Sequence, residues 1–104
     1  ATDWSQIVAL YDQLLRIRPT ALVALNRAVA IGELNGPGAG LDALDEMHAE
    51  ALADYQSFHA ARADLLARAG RRREARDSYD QAIQLSSNPT ERAFLEHQRA
   101  RAEP

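Results

Sequence analysis

The side chains with the greatest catalytic potential are scattered along the sequence. His48, His59 and His97 lie far apart, and none belongs to a His-x-x-x-His or His-Glu-x-x-His pair that would place two metal ligands on one helix turn. Ser86 and Ser87 have no nearby base to activate them as nucleophiles. The sequence therefore predicts no catalytic residue, no metal site and no cofactor, and indicates that the protein is not an enzyme.

A glycine-rich stretch, Gly36-Pro37-Gly38-Ala39-Gly40, invites comparison with a phosphate-binding loop. No strand is expected before it, and all twelve basic residues of the chain are arginines, so the lysine of such a loop is missing. The stretch is better interpreted as a turn between helices.

One cluster of charge has functional potential, because Arg71, Arg72 and Arg73 are followed by Arg76. The cluster can be a solvated turn in which Arg73 pairs with Asp77, or it can contact an acidic partner. Arg71 and Arg72 are the candidate contacts under the second interpretation.

Composition limits the classes of function. The 104 residues are 46% hydrophobic and 26% charged, and they include no cysteine. A net charge of −3 gives no basic face for direct contact with nucleic acid. No apolar run approaches the roughly 20 residues of a membrane span, so a cytoplasmic protein without membrane contact is expected.

Apolar residues recur at three- and four-residue spacing, which predicts about six helices and no strand. The predicted helices run from Thr2 to Ile17, from Thr20 to about Leu34, from about Ala39 to His48, from Tyr55 to Ala69, from the arginine cluster to the turn at Ser87-Asn88-Pro89, and from Pro89 to Arg101. Residues 49–54 can prolong the third helix or form a loop, and a break is favoured. Ala93, Phe94 and Leu95 are the candidates for burial in the last helix.

The helices repeat with a period near that of tetratricopeptide units. Tyr11, Leu44 and Tyr79 are separated by 33 and 35 residues, and the three Arg-Ala pairs that begin at Arg27, Arg62 and Arg99 by 35 and 37. Helix–turn–helix units with a period of about 34 residues are typical of tetratricopeptide proteins. We therefore predict an all-α fold of antiparallel helix pairs in a tetratricopeptide-like right-handed array, with residues 1–104 forming a single domain.

The best repeat unit lies between Tyr55 and Pro89. Its matches to the tetratricopeptide pattern are Ala63, Leu66, Gly70, Ala75, Tyr79, Ala82 and Ile83. His59 occupies the place of the characteristic tryptophan. Across the chain the units run as half, whole, whole and half, and the alternative is an ordinary bundle of three unrelated helical hairpins.

The inner surface of such an array is lined by the first helix of each unit. The residues expected there are Leu22, Leu25, Val29 and Glu33 in one unit and Ser57, Ala60, Asp64 and Arg68 in the next. The basic and asparagine side chains with which some tetratricopeptide domains clamp a peptide C-terminus are missing from these positions. That disfavours an anionic-peptide clamp and leaves a strip that receives an amphipathic segment or packs against another part of a longer polypeptide.

Five stretches of the sequence carry a more specific resemblance. They are Asp3–Pro19 (DWSQIVALYDQLLRIRP), Ala24–Val29 (ALNRAV), Gly36–Leu44, Phe58–Leu66 (FHAARADLL) and Asn88–Glu96 (NPTERAFLE). Together they resemble the C-terminal extension of a group of bacterial extracytoplasmic-function (ECF) sigma factors of RNA polymerase.

The resemblance implies a fragment whose sigma domains lie upstream. It implies a regulatory interaction module acting in transcription initiation through contacts with its own sigma domains, the RNA polymerase core or a regulator, while promoter DNA is read by the sigma domains. The alternative is a free-standing tetratricopeptide-type adaptor that binds peptides. An in-frame upstream sigma sequence is expected under the first interpretation and a stop codon under the second.

The first predicted helix is apolar on more than one side, since Leu10 and Ile17 fall away from its main apolar face. A half unit that lacks its partner helix should leave such residues partly exposed. The apolar residues of this helix are therefore expected to be partly exposed or buried in a self-association contact.

Overall fold

The computed structural model describes residues 2–47 and 49–102 of the chain. The helices are α1 (Trp4–Ile17), α2 (Ala21–Asn35), α3 (Pro37–Glu46), a short 3-10 helix (Ala49–Leu52), α4 (Gln56–Arg68), α5 (Arg72–Leu85) and α6 (Pro89–Arg101). No strand occurs within these described residues. The predicted all-α class with six α-helices is confirmed.

The chain divides into two compact units, a first unit (Ala1–Leu52) and a second unit (Ala53–Pro104). In the first unit α2 packs against α1, α3 and the 3-10 helix, and in the second α5 packs against α4 and α6. Helices that are adjacent in sequence therefore pack as pairs, as the repeat predicts. The single domain and the right-handed array stay predictions.

Side-chain caps begin three of the helices. The Asp3 carboxylate accepts a hydrogen bond from the backbone N–H of Gln6, and Thr20 Oγ1 accepts one from Val23. Asn88 Oδ1 accepts from the backbone N–H groups of the next helix turn, at 2.9 and 3.2 Å. The helix starts predicted at Thr20 and Pro89 are confirmed, and Asp3 caps α1.

Two glycines allow the tight turns between paired helices. Gly36 has φ of 99° and Gly70 has φ of 81°, values that side chains with a Cβ rarely adopt. Gly36 alone separates α2 from α3, so the turn is shorter than predicted. The third helix begins at Pro37 and not at Ala39, because proline fits the first turn of a helix.

The region left open by the sequence contains a break. The 3-10 helix ends at Leu52, and residues 53–55 form a turn and an extended residue before α4 begins. The predicted break is confirmed at Ala53 and Asp54, but the 3-10 helix over residues 49–52 was not predicted. The predicted end of the third helix at His48 lies outside the described residues.

The core of the first unit is built largely from small residues. It consists of Leu25, Ala28, Ala30 and Gly32 of α2, Gly40, Leu41 and Leu44 of α3, and Leu52. Helix α1 contributes no fully buried residue. The small residues of α2 and α3 allow the two backbones to approach closely.

The core of the second unit is bulkier. It contains Phe58, Ala63, Leu65 and Leu66 of α4, Ala75, Ser78, Tyr79 and Ala82 of α5, Ser86, and Leu95 and Ala102 of the α6 region. Leu65 and Leu66 are the largest fully buried side chains among the described residues. The predicted packing roles of Leu66 and Tyr79 are confirmed.

The burial predicted for the last helix was partly wrong. Leu95 is buried, but Phe94 is 60% exposed and Ala93 is also exposed. Successive residues are rotated by about 100° around a helix. Because α6 packs on α5 through the face that carries Leu95 and Ala102, Phe94 points away from that contact.

In each unit an ion pair joins two helices at corresponding places. Arg27 of α2 donates to Asp12 of α1, and Arg99 of α6 lies 2.6 Å from Asp80 of α5. Both aspartates directly follow the tyrosines of the repeat, and both arginines begin Arg-Ala pairs. The repeat in the sequence thus corresponds to a repeated contact between helices.

Candidate protein-interaction site

A groove runs between α4 and α6 in the second unit, with α5 as its floor. It consists of two adjoining clefts of about 230 and 180 Å³. The lining residues are Ala60, Asp64, Ala67 and Arg68 of α4, Arg72 and Tyr79 of α5, and Phe94, Leu95, Gln98, Arg101 and Ala102 of the α6 region. This α4–α6 groove is the strongest candidate for a binding site.

The larger cleft carries most of the charge. Arg68 donates two hydrogen bonds to Asp64 Oδ2, from Nη2 at 2.7 Å and from Nε at 3.1 Å. Arg72 and Arg101 line the same cleft from α5 and α6. Three guanidinium groups and one carboxylate give this cleft a local excess of positive charge in a chain whose net charge is −3.

Tyr79 forms the floor that the two clefts share. Burial raises the pKa of its hydroxyl above the ordinary value, and the nearby Asp64 carboxylate raises it further, while Arg101 and Arg68 act in the opposite direction. The hydroxyl is therefore neutral at physiological pH. The floor of the groove presents an aromatic ring with an uncharged hydrogen-bonding group.

The smaller cleft has an apolar wall. Phe94 is 60% exposed beside it, and Ala60 faces it from α4. Asp64, Tyr79 and Gln98 line both clefts, whereas the three arginines line only the larger one. The groove is thus polarised along its length, with arginines at one end and an exposed phenylalanine at the other.

The structure brings together three of the contact residues proposed from the sequence, Asp64, Arg68 and Arg72. Arg71 does not join them, because it is held by Glu74 through hydrogen bonds of 3.0 and 2.6 Å. The side-chain hydrogen bond from Arg71 is the main reason that the pKa of Glu74 is lowered. Arg71 is therefore paired with Glu74, whereas its neighbour Arg72 lines the groove.

The apolar strip proposed on α2 needs a correction. Leu22 is 46% exposed, Val29 is half-buried and Glu33 is exposed, but Leu25 is only 3% exposed and belongs to the core. Leu25 lies on the same face of α2 as the buried Ala28, which is three residues further on. It cannot offer a contact surface, and the strip is reduced to Leu22, Val29 and Glu33.

Sequence reasoning missed the residues that α6 contributes to the groove. Phe94 follows Ala60 by 34 residues, and Gln98 follows Asp64 by 34. The repeat period would therefore have placed them on the same inner surface. The expectation that Phe94 is buried obscured this signal.

Other surface features lie outside the α4–α6 groove. An apolar cleft of about 360 Å³ in the first unit is lined by Leu15, Pro19, Thr20, Ala21, Ala24, Met47 and Ala51.

Leu10 and Ile17 of α1 are 58% and 76% exposed, so the expected exposure of this helix is confirmed while its self-association stays a prediction. His59 Nε2 lies 2.7 Å from the carbonyl oxygen of Ala53, which makes it a partnered histidine.

Residues 2–47 and 49–102 also bear on metal binding and on membrane crossing. Histidines and acidic residues form no group of three or more there that could hold a metal ion. Within the same ranges, no helix combines the length and the apolar character that crossing a membrane requires.

Comparison with known proteins finds one relative. The chain is 43% identical over 97 residues to the uncharacterized protein R00370 of Rhizobium meliloti (strain 1021). The match covers 93% of this chain and 23% of the relative, so the chain spans about a quarter of that protein's length. No family model matches the chain, and no solved structure matches it.

Proposed function

We propose that this chain is the C-terminal regulatory module of a bacterial ECF-type RNA polymerase sigma factor. It acts in transcription initiation in the cytoplasm, through contacts with its own sigma domains, the polymerase core or a regulator. The observation that carries the proposal is the α4–α6 groove, which offers an open, polarised surface of the kind that receives a protein segment.

Two further observations support this proposal. The five stretches of sequence that resemble the sigma-factor extension are distributed between Asp3 and Glu96, so the resemblance spans most of the described chain. The relative is also about four times longer than the matched segment, so in that protein a similar segment is part of a longer polypeptide. Both fit a module that works on domains in the same chain.

The proposed contacts fall on two surfaces. The first is the α4–α6 groove, and the second is the remaining strip of Leu22, Val29 and Glu33 on α2. Promoter DNA is contacted by the sigma domains and not by this module, because the net charge of −3 opposes binding to a polyanion.

The test uses the full-length protein encoded by the gene. A photo-reactive benzoylphenylalanine replaces Phe94 or Leu22, and crosslinked peptides are identified after assembly with core polymerase. Crosslinks to sigma domains or to polymerase subunits are expected, and the same substitution at the exposed Ser87 should give few. A stop codon directly upstream in the gene would instead support a free-standing adaptor.

A further inference from the structure

We infer that the α4–α6 groove binds an acidic, partly apolar peptide segment, with side-chain carboxylates on Arg72 and Arg101 and an apolar side chain over Tyr79 beside Phe94. This inference rests on the proposed function, because it specifies the chemistry of the segment that the module receives. All of these residues belong to the second unit.

Charge complementarity selects the acidic segment. Among residues 2–47 and 49–102, neither Arg72 nor Arg101 has an ion-pair partner, although both line the larger cleft. Arg68 already holds Asp64, so the carboxylate of Asp64 is largely compensated before a ligand arrives. A segment with carboxylates supplies the missing partners of Arg72 and Arg101.

The two ends of the groove set the direction of the segment. Arg72 and Arg101 line only the larger cleft, whereas Phe94 lines only the smaller one. Ligand carboxylates therefore bind at the arginine end, and the apolar side chain binds at the Phe94 end. The uncharged part of the segment passes over Tyr79 and Gln98.

The Phe94 end selects an apolar side chain. Phe94 is the most exposed large apolar residue of the second unit and stands beside a cleft of about 180 Å³. The buried Leu95 and Tyr79 give that cleft an apolar base. Burying an aliphatic ligand side chain there removes apolar surface from water on both partners.

The structure alters the sequence argument against an anionic ligand. The basic residues of a terminal-carboxylate clamp are missing from the first helices of the units. The groove obtains Arg72 from the start of α5 and Arg101 from α6. Because they come from different helices and the groove contains no asparagine, separate side-chain carboxylates suit it better than one peptide C-terminus.

The inference is tested by fluorescence anisotropy with a pool of short, terminally blocked peptides composed of leucine and glutamate. The matched pool has glutamine in place of glutamate. We expect the acidic pool to bind this chain and the glutamine pool to bind at least tenfold more weakly. Binding of the acidic pool should also weaken as salt rises, because exposed ion pairs are screened.

Single substitutions test which residues of the groove contact the peptide. Arg72→Gln and Arg101→Gln should each weaken binding about fivefold, the effect of losing one partly exposed ion pair. Arg73→Gln removes the same charge from the same helix outside the groove and should leave affinity unchanged. Phe94→Ala should weaken binding, whereas Leu10→Ala in the first unit should not. Circular dichroism of each variant checks that it is folded.

The outcomes separate this inference from the proposed function. Equal binding of the acidic and glutamine pools, no binding of either, or unchanged affinity in both Arg72→Gln and Arg101→Gln overturns the acidic-segment inference. Tighter binding of a single-stranded oligonucleotide than of the acidic pool does the same. If crosslinking in the full-length protein still captures sigma domains or polymerase, the proposed function stands without this groove chemistry.

Discussion

The two units use the same helix-turn-helix plan but present different surfaces. The exposed large apolar residues of the first unit are Leu10, Leu14, Ile17, Leu22 and Leu34, whereas the second unit has only Tyr55 and Phe94 among the described residues. The second unit instead contains the largest fully buried side chains of the described residues, Leu65 and Leu66, and surrounds an aromatic floor with arginines. The surface of the first unit is suited to contact with an apolar partner, and the surface of the second unit is suited to contact with a charged partner.

The difference arises from how each unit fills its core. In the first unit, small residues of α2 and α3 bring two helices together, and α1 adds no fully buried side chain. In the second unit, α5 lies between two helices and buries Tyr79 below both. Units with the same helix arrangement can therefore acquire different binding properties, because they leave different helix faces exposed.

The largest expected effect is on the core of the second unit. Leu66→Ala should lower the free energy of unfolding by about 2–5 kcal/mol, because Leu66 is fully buried and its loss leaves a cavity. Leu10→Ala in the first unit, at a side chain that is 58% exposed, should change it by less than about 0.5 kcal/mol. Urea denaturation measures both. Equal losses of unfolding free energy in the two variants would contradict the expected difference between the two units.

The apolar surface of the first unit should cause self-association. Ile17→Glu places a charge on a side chain that is 76% exposed and should weaken dimer formation by about tenfold or more, since a charge cannot be buried cheaply in an apolar contact. Arg16→Gln changes the net charge by the same amount on another side of α1. Sedimentation equilibrium measures the dimer dissociation constants of the wild-type chain and the two variants. A wild-type chain that stays monomeric at high concentration contradicts the prediction.

Helix caps offer a smaller comparison between the units. Asn88→Ala should cost about 1 kcal/mol, because the Asn88 side chain satisfies two backbone N–H groups at the start of α6. Thr20→Ala removes one such bond in the first unit and should cost no more than Asn88→Ala. Ser87→Ala serves as the control. A larger loss for Thr20→Ala would show that the cap of the first unit matters more.

The two interhelical ion pairs should contribute least to stability. Double-mutant cycles with Asp12→Asn and Arg27→Gln, and with Asp80→Asn and Arg99→Gln, should each give a coupling energy of about 0.2–1 kcal/mol. The reason is that the side chains are about one-third to one-half exposed. High salt should reduce both values. A coupling in one unit several times that in the other would show that these corresponding contacts are not equivalent.

The exposed Arg71–Glu74 pair at the start of α5 can be examined by pH titration. The pKa of Glu74 is lowered in the folded protein, chiefly by the Arg71 hydrogen bond, so its stabilising effect is present at neutral pH and is lost as the pH falls through that lowered value. Arg71→Gln should raise the pKa of Glu74 toward the ordinary glutamate value. Carboxyl-carbon NMR can follow it, with Arg73→Gln as control. An unchanged Glu74 pKa in Arg71→Gln would contradict this assignment.

Local rules allowed much of the fold to be predicted. The starts at Thr20 and Asn88 and the glycine that ends α4 depend on groups within a few residues of one another, so they can be recognised without tertiary contacts. The third helix was misplaced by two residues because a single positive-φ glycine completes the turn before Pro37. Helix boundaries are sensitive to such details of backbone conformation.

The sequence alone determined the all-α class, the paired helices and the repeat near 34 residues, because these depend on local caps and on the periodicity of apolar side chains. Only the tertiary structure decided that Leu25 is core, that Phe94 is surface and that Arg72 and Arg101 share a cleft. Periodicity says which residues share a helix face, but burial depends on which faces meet another helix. The candidate site therefore required the packing of α4, α5 and α6 to be known.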